Sequence, residues 1–372
     1  MRVVFWGTYD TGKPRVRILL RGLRENGVEV LECHKEVWGG VEDKSQIKGG
    51  LRKLLFLAKW LFAYPGLVWR YMRLPRHDAV VVGYLGQLDV LILWPFARLR
   101  SVPVALDAFL SLYNTVVEDR KLIGRGNPLA WLLWTWEWLA CKAADLIFVD
   151  TSAHGTYFID TFGVDKRKVK RAFVGAETER FESRRPDLRD PARPFTALFY
   201  GQFIPLHGIE TVVRAAKLSE QTGIRWIIIG TGQESERIRD LVATLNPTNL
   251  EQVDWIPYAD LIDWIQKADV CLGIFGDTEK AGRVIPNKVF QILAGGRPLI
   301  TRDSEAIREL LPPGRKGVWL VTPSCPEEVV AGVKHFQAHP ACNALHDDVI
   351  AEISPRNIGL SVIRALESAS AN

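Results

Sequence analysis

No Cys-x-x-Cys pair occurs in the 372 residues. The five cysteines (Cys33, Cys141, Cys271, Cys325, Cys342) are scattered singly. That spacing argues against a zinc ribbon or a disulfide framework and favours a reducing compartment. Gly-x-x-x-x-Gly-Lys-Ser/Thr is missing too, which removes the P-loop class. No Asp-x-Asp pair, short repeat, low-complexity tract or RNA- or DNA-binding motif is found, so nucleic acid is not an expected partner. The opening MRVVFWGTYDTG runs from an apolar strand into a turn, without the charged lead, apolar centre and cleavage site of a secretory signal. The longest apolar stretches are broken by lysine, or by Tyr64-Pro65-Gly66, before they reach membrane-spanning length.

What is present is the composition of a globular protein: 47% hydrophobic and 24% charged residues in a chain long enough for two domains. The net charge of +5 is unevenly spread. Residues 1–100 carry 17 Lys/Arg against 9 Asp/Glu, residues 101–190 are balanced, and residues 191–372 are slightly acidic. The basic excess points to an anionic surface or substrate near the first quarter, or to a solvated basic face. Short Val/Ile/Leu-rich runs (VVFWG, VEVLEC, HDAVVVGY, VPVALDAF, ADLIFVD) alternate with helical patterns. This predicts βαβ units and a mainly parallel sheet. At ESRRPDLRDPARP, three prolines and dense charge leave nothing to bury, and the alternation restarts at FTALFYG. The expected organisation is a first α/β domain over 1–182, a linker over 183–194, a second α/β domain over 195–352, and a terminal helix over 353–372 returning to the first domain.

Ligands on such sheets bind at the carboxyl ends of strands, where glycine lets a ligand approach and helix N-termini face it. Four segments fit: the turn from Gly7 to Gly12, the loop Gly201-Gln202-Phe203-Ile204-Pro205-Leu206-His207-Gly208, the turn Gly230-Thr231-Gly232, and the stretch EKAGRVIPNKVFQILAGGRPLI over 279–300. The last places Lys280, Arg283 and Lys288 around Pro286-Asn287, where a helix should begin. A helix start already carries partial positive charge, so three added cations imply an anion there.

The ordered set FYGQFIPLHGIETVVRAAKL, WIIIGTGQESERI, VDWIPYADLIDWIQKADVCLGIF and IPNKVFQILAGGRPLIT resembles glycosyltransferase family 4 over roughly 195–325. The first domain fits more loosely. The resemblance implies the GT-B fold, two Rossmann-like domains facing an interdomain cleft, and a retaining, metal-independent transfer from a nucleoside-diphosphate sugar. In that family an Arg and a Lys after the Gly201 position hold the diphosphate. Here Gln202 and His207 stand in their places. The family's Glu-x7-Glu pair falls on Arg283 and Gln291, so both carboxylates are replaced. The reading is that diphosphate recognition has moved to Lys280, Arg283 and Lys288 with the N–H groups following Pro286, through Asn287 and Val289. Gln291 can still bond ribose hydroxyls. Gly230 and Gly232 resemble the turn that lets the base lie close. Trp255-Ile256-Pro257 resembles the segment that meets the base, with a buried strand end as the alternative. Asp107, closing the VPVAL strand, would orient or deprotonate the acceptor, or else cap the next turn. His154 reads as structural.

Residues 44–76 join Leu, Phe and Trp with eight Lys/Arg at amphipathic spacing, notably Leu51, Leu54, Leu55, Ala58, Leu61 and Phe62. Such a helix suits an anionic membrane surface, or the core of the first domain. The run LAWLLWTWEWLACKAAD carries Trp131, Trp134, Trp136 and Trp138 and reads as core or acceptor wall. The expected activity is therefore sugar transfer to a lipid-linked or membrane-surface glycan acceptor, by a cytoplasmic protein at the inner face of the membrane. A non-catalytic nucleotide-sugar-binding subunit and a sugar-nucleotide epimerase of the same fold are the alternatives.

Overall fold

The computed structural model describes residues 1–37, 50–182, 193–339 and 345–370, without the side chains of 50–56, 182 and 370. The linker expected over 183–194 lies almost wholly outside these residues, as do Lys44 and Lys48. The chain divides into two compact units, 1–174 with 355–372, and 175–354. Residues 175–182 thus go with the second unit. There Ala176 N–H donates to the Ile353 carbonyl, and the helix Thr178–Glu182 packs on the helix Asn287–Ala294.

The first unit alternates strands β1 (Arg2–Gly7), β2 (Glu29–His34), β3 (Ala79–Val82), β4 (Val104–Asp107), β5 (Leu146–Val149) and β6 (Val169–Arg171) with helices. These are α1 (Pro14–Glu25), α2 (Gly50–Met72), α3 (Gln87–Leu99), α4 (Pro128–Ala143) and α5 (Ser152–Phe162). The sheet is parallel in the order β2-β1-β3-β4-β5-β6. Strands β3, β4 and β5 are buried at every position, which is why they read as continuous apolar runs rather than alternating ones. Strand order reverses between β1 and β3, and the crevice beyond their carboxyl ends is where such a sheet takes ligands.

The second unit comprises α6 (Thr178–Glu182), β7 (Phe195–Tyr200), α7 (Ile209–Leu218), β8 (Ile224–Ile229), α8 (Ser235–Leu245), β9 (Leu250–Val253) and α9 (Tyr258–Lys267). It continues with β10 (Val270–Leu272), α10 (Glu279–Arg283), α11 (Asn287–Ala294), β11 (Leu299–Arg302), α12 (Glu305–Arg308), β12 (Val318–Val321), α13 (Pro326–Ala338) and α14 (Asp347–Ile353). Its parallel sheet runs β12-β11-β10-β7-β8-β9 and reverses between β7 and β10. The final helix, α15 (Pro355–Ser370), belongs to the first unit and lies along α1.

Helix α2 departs from the sequence reading. It runs unbroken through Pro65. Pro65 and Gly66 both sit on its exposed side, where a lost backbone hydrogen bond is made good by water. Its buried side is Ala63, Tyr64, Leu67 and Tyr71, whereas Leu61 and Phe62 point outward, Phe62 at 82% exposure. The apolar stripe expected to be continuous from Leu51 to Phe62 therefore does not pack on the core at its C-terminal end. In α4, Trp134 and Trp138 stack at 6.3 Å and pack against the core, while Trp131 and Leu132 remain exposed.

Candidate functional site

In the turn after β1, two backbone donors are taken up by internal carboxylates. Thr8 N–H donates to Asp89 Oδ2 at 2.8 Å, and Gly12 N–H donates to Asp10 Oδ1 at 2.9 Å. Asp89, in the first turn of α3, also accepts from Thr8 Oγ1 and, at 2.5 Å, from the Tyr64 hydroxyl. A Cβ on Gly7 would fall on the Asp89 carboxylate, so this glycine makes room for an internal acid. Burial raises the Asp89 carboxyl to about 6 against the lowering effect of its three donors. The reversal point of the first sheet, where Gly7 and Gly12 were expected to meet a ligand, thus carries its own acidic group.

Asp107 is likewise not a free strand-end carboxylate. Its Oδ1 accepts from Arg15 Nη2 at 2.8 Å and Nε at 3.1 Å, and neither side chain is more than 1% exposed. Arg15 Nη1 also donates to the Ala172 and Phe173 carbonyls. Both carboxylate oxygens are engaged by the buried guanidinium, so the pair ties α1 to β4. His154 is buried with its Nδ1 2.6 Å from Asp150 Oδ1, in keeping with a structural histidine. Glu137, mid-way along α4, accepts from the Ser111 hydroxyl and from the N–H groups of Leu112 and Tyr113. Asp89, Arg15 and Glu137 were not marked by the sequence, where each is one charge on an otherwise ordinary amphipathic helix.

The second unit brings the expected residues together at the reversal between β7 and β10. Gly201 (φ +139°) leaves β7, and Gly230 (φ +144°) leaves β8. The two turns are laced by Gly201 N–H to the Ile229 carbonyl and Phe203 N–H to the Thr231 carbonyl, both 2.9 Å. A Cβ on Gly230 would strike the Gly201 carbonyl, and one on Gly232 would lie 2.6 Å from the Phe203 carbonyl oxygen. These glycines therefore admit the neighbouring turn, a simpler reason for them than room for a base. His207 is buried with its Nδ1 against the Gln202 carbonyl, which fixes the loop, and the Gln202 side chain is exposed.

Helix α11 starts where expected, with Pro286 as its N-cap residue. The Val289 N–H donates to the Pro286 carbonyl at 2.9 Å and is not left for a ligand. Lys288 points into the reversal: its Nζ lies 3.7 Å from the Phe199 ring centroid and 3.0 Å from where a Cβ on Gly201 would stand. Among the described residues it has no hydrogen-bond partner, and neither has the buried Asn287 Oδ1. Burial pushes the Lys288 ammonium well below the usual lysine range. Gln291 is held between two tyrosines, accepting from the Tyr200 hydroxyl at 3.2 Å and donating to the Tyr258 hydroxyl at 3.5 Å. Arg283 pairs with Glu279 within α10, and Lys280 is half-buried on the same helix. Trp255, just beyond β9, is 55% exposed rather than a buried strand end, and Pro257 is the N-cap residue of α9.

Two six-stranded parallel Rossmann-like units in one chain are the architecture of the GT-B fold, and the second carries a glycine turn and the buried Lys288 at its reversal point. Residues 194–338 match the family model described as glycosyl transferases group 1. No curated protein matches the chain in sequence. Among solved structures, the chain is similar to HepE from Anabaena in complex with UDP, at 12% identity over 99% of this chain and 100% of that one, with a TM-score of 0.68. It is also similar to the lipopolysaccharide outer core galactosyltransferase WaaB, at 14% identity over 99% of each chain, TM-score 0.65. The sucrose-phosphate synthase of Thermosynechococcus elongatus aligns at 15% identity over 100% of this chain and 96% of that one, TM-score 0.66. At these identities the likeness is one of fold.

Proposed function

We propose that the chain is a hexosyltransferase that moves a sugar from a nucleoside-diphosphate donor, bound by the second unit, to an acceptor bound by the first. The observation that carries this reading is Lys288, a buried lysine without a carboxylate partner beside the Gly201 turn, at the reversal point where a parallel sheet takes a phosphate-bearing ligand. Lys280 and Arg283 would add charge from α10. The exposed indole of Trp255 is available to stack on a base. The family match over 194–338 supports a sugar-transfer role, and the UDP and UDP-glucose complexes of HepE support a nucleotide-sugar donor.

In the proposed reaction the bond from the anomeric carbon to the phosphate oxygen breaks, and its electron pair leaves with the nucleoside diphosphate. Lys288 and the first N–H groups of α11 would offset that charge. The acceptor hydroxyl attacks from the same face, forming the new glycosidic bond with retention and passing its proton to the departing phosphate. No obligatory metal enters this scheme.

A lipid-linked or membrane-surface glycan acceptor, met at the cytoplasmic face of a membrane, is the favoured substrate class. Its support is the outer side of α2, where Leu57, Leu61, Phe62, Trp69 and Met72 are exposed beside Lys59, Arg70 and Arg73. No described helix is long and apolar enough to cross a membrane.

The test is a panel of nucleoside-diphosphate sugars scored by thermal stabilisation. The best of them, radiolabelled, would then be incubated with membrane lipid extracts. The expected result is a rise in Tm with one donor and transfer of label into the lipid fraction. No stabilisation by any donor overturns the donor site, and stabilisation with sugar release into water but none into lipid overturns the acceptor.

A further inference from the structure

Among the described residues no carboxylate pairs with the Lys288 amine, and the ring face of Phe199 is the nearest group that would favour its charge. Facing its amine are the rings of Phe199 and Tyr200 and the Gly201 turn, where the His207 ring stands on the same side of the glycine, 3.1 Å from the position a Cβ there would take. On its own helix Asn287 and Gln291 are neutral amides, and the Gln291 amide is held between Tyr200 and Tyr258. The elements packed on α11 are α6, α14 and β11. Their charged groups with described side chains are Glu179 and Arg180 with the adjoining Glu177, Asp347, Asp348 and the exposed Glu352, and Arg302. None forms an ion pair with Lys288: Arg180 pairs with Glu177, Asp348 with Arg315, and Arg302 donates to the Gly276 carbonyl. Burial favours the uncharged form, and the Phe199 ring face offsets it only in part, since no carboxylate joins it.

Building on the donor site proposed above, we propose that Lys288 is a neutral amine in the free protein and takes up a proton as the donor's diphosphate arrives, making donor binding proton-coupled. A buried ammonium with one ring face and no carboxylate or hydrogen-bond acceptor beside it costs more than an uncharged amine in the same place. A diphosphate set beside Gly201 supplies the missing negative charge, so the proton is held more tightly in the complex than in the free protein. Between those two affinities for the proton, binding consumes one proton and weakens as pH rises, by up to about tenfold per pH unit. During transfer the leaving phosphate would depart onto an ammonium, and release of the nucleoside diphosphate would return the proton to water. The arrangement also explains the demand for glycine at 201, since any side chain there would meet the amine.

The experiment is titration calorimetry of the purified full chain with UDP, GDP, ADP and CDP. It is run at about pH 8, where the terminal phosphate, with a pKa of about 6, is already ionised. Each titration is repeated in two buffers of widely different ionisation enthalpy, so that the difference in heat counts protons. The expected result is net uptake approaching one proton for the diphosphate that binds, falling to near zero in Lys288→Arg, whose guanidinium is charged throughout. Binding by the wild type with no buffer dependence overturns the proton coupling and leaves the donor site standing. Uptake that persists undiminished in a folded Lys288→Arg overturns the assignment to Lys288. Failure of all four diphosphates to bind removes the donor site and this inference with it. Because the buffer dependence is read on the wild type, a Lys288→Arg chain that fails to fold leaves the test in force.

Discussion

Asp89 holds the backbone N–H of Thr8 at 2.8 Å, so the first turn of α3 places a carboxylate where the glycine turn after β1 would otherwise offer a donor to an anion. The corresponding place in the second unit holds Lys288 beside Gly201. Two sheets of similar plan thus carry an acid at one reversal point and a base at the other, which favours the second for a phosphate-bearing ligand.

The Asp89 carboxyl makes a pH prediction. Its folded pKa of about 6 lies above the ordinary value of 3.8, so between these the folded chain binds the extra proton. The stability this group contributes is full below about pH 4 and is lost as pH rises through about 6. The loss amounts to about 3 kcal/mol, taking 1.36 kcal/mol per pH unit. Urea denaturation of wild type and Asp89→Asn from pH 4 to 7 should show the wild type losing stability relative to the variant as pH rises. Parallel curves would remove the role given to burial here.

Asp107 separates a structural from a catalytic role. Removing it leaves the Arg15 guanidinium buried with two carbonyl partners and no counter-charge, a change that typically destabilises by about 3–5 kcal/mol. Asp107→Ala should therefore lower the denaturation midpoint sharply, and the double variant Arg15→Met, Asp107→Leu should recover much of it. An Asp107→Ala protein with wild-type stability and no transfer activity would restore the proton-accepting role read from the sequence.

The α/β alternation, the strand cores and the restart near residue 195 were legible because fully buried parallel strands write themselves as apolar runs. The start of α11 was legible because proline followed by cations at a helix N-terminus calls for an explanation. The partners were not. Asp89, Arg15 and Glu137 each look like a solvated charge on a helix, and only the fold brings Thr8, Asp107 and Ser111 to them. Gly230 and Gly232 read as room for a ligand, and became packing glycines once the Gly201 turn was seen to fill that room. The basic half of 44–76 divides. Its first part lies outside the described residues, and the rest puts Leu61 and Phe62 outward because Tyr64, Leu67 and Tyr71 claim the core side.

Gly22 and Gly359 let α1 and α15 touch backbone to backbone. A Cβ on Gly22 would meet the Pro355 carbonyl, and one on Gly359 would meet the Gly22 backbone. Neither neighbour is a flexible side chain that could move aside. Gly359→Val should therefore prise α15 away, with a loss of about 2 kcal/mol or more from overpacking. Limited proteolysis should then release the C-terminal segment faster than in wild type. Unchanged protection of that segment would mean that the two helices can separate slightly without losing their packing.

The outward side of α2 distinguishes a membrane surface from incidental exposure. Phe62 and Trp69 are 82% and 57% exposed, and Trp69 is capped by the Arg73 guanidinium 3.5 Å from its ring centroid. Neither packs in the core, so Phe62→Glu with Trp69→Glu should leave the denaturation midpoint within about 0.5 kcal/mol of wild type. On an anionic interface the same changes bury two carboxylates in place of two aromatic rings. Flotation with phosphatidylglycerol vesicles should therefore recover the wild type and lose the double variant. Zwitterionic vesicles should recover little of either, because the attraction of Lys59, Arg70 and Arg73 has no counterpart there. Equal flotation of both proteins would place any membrane contact elsewhere on the chain.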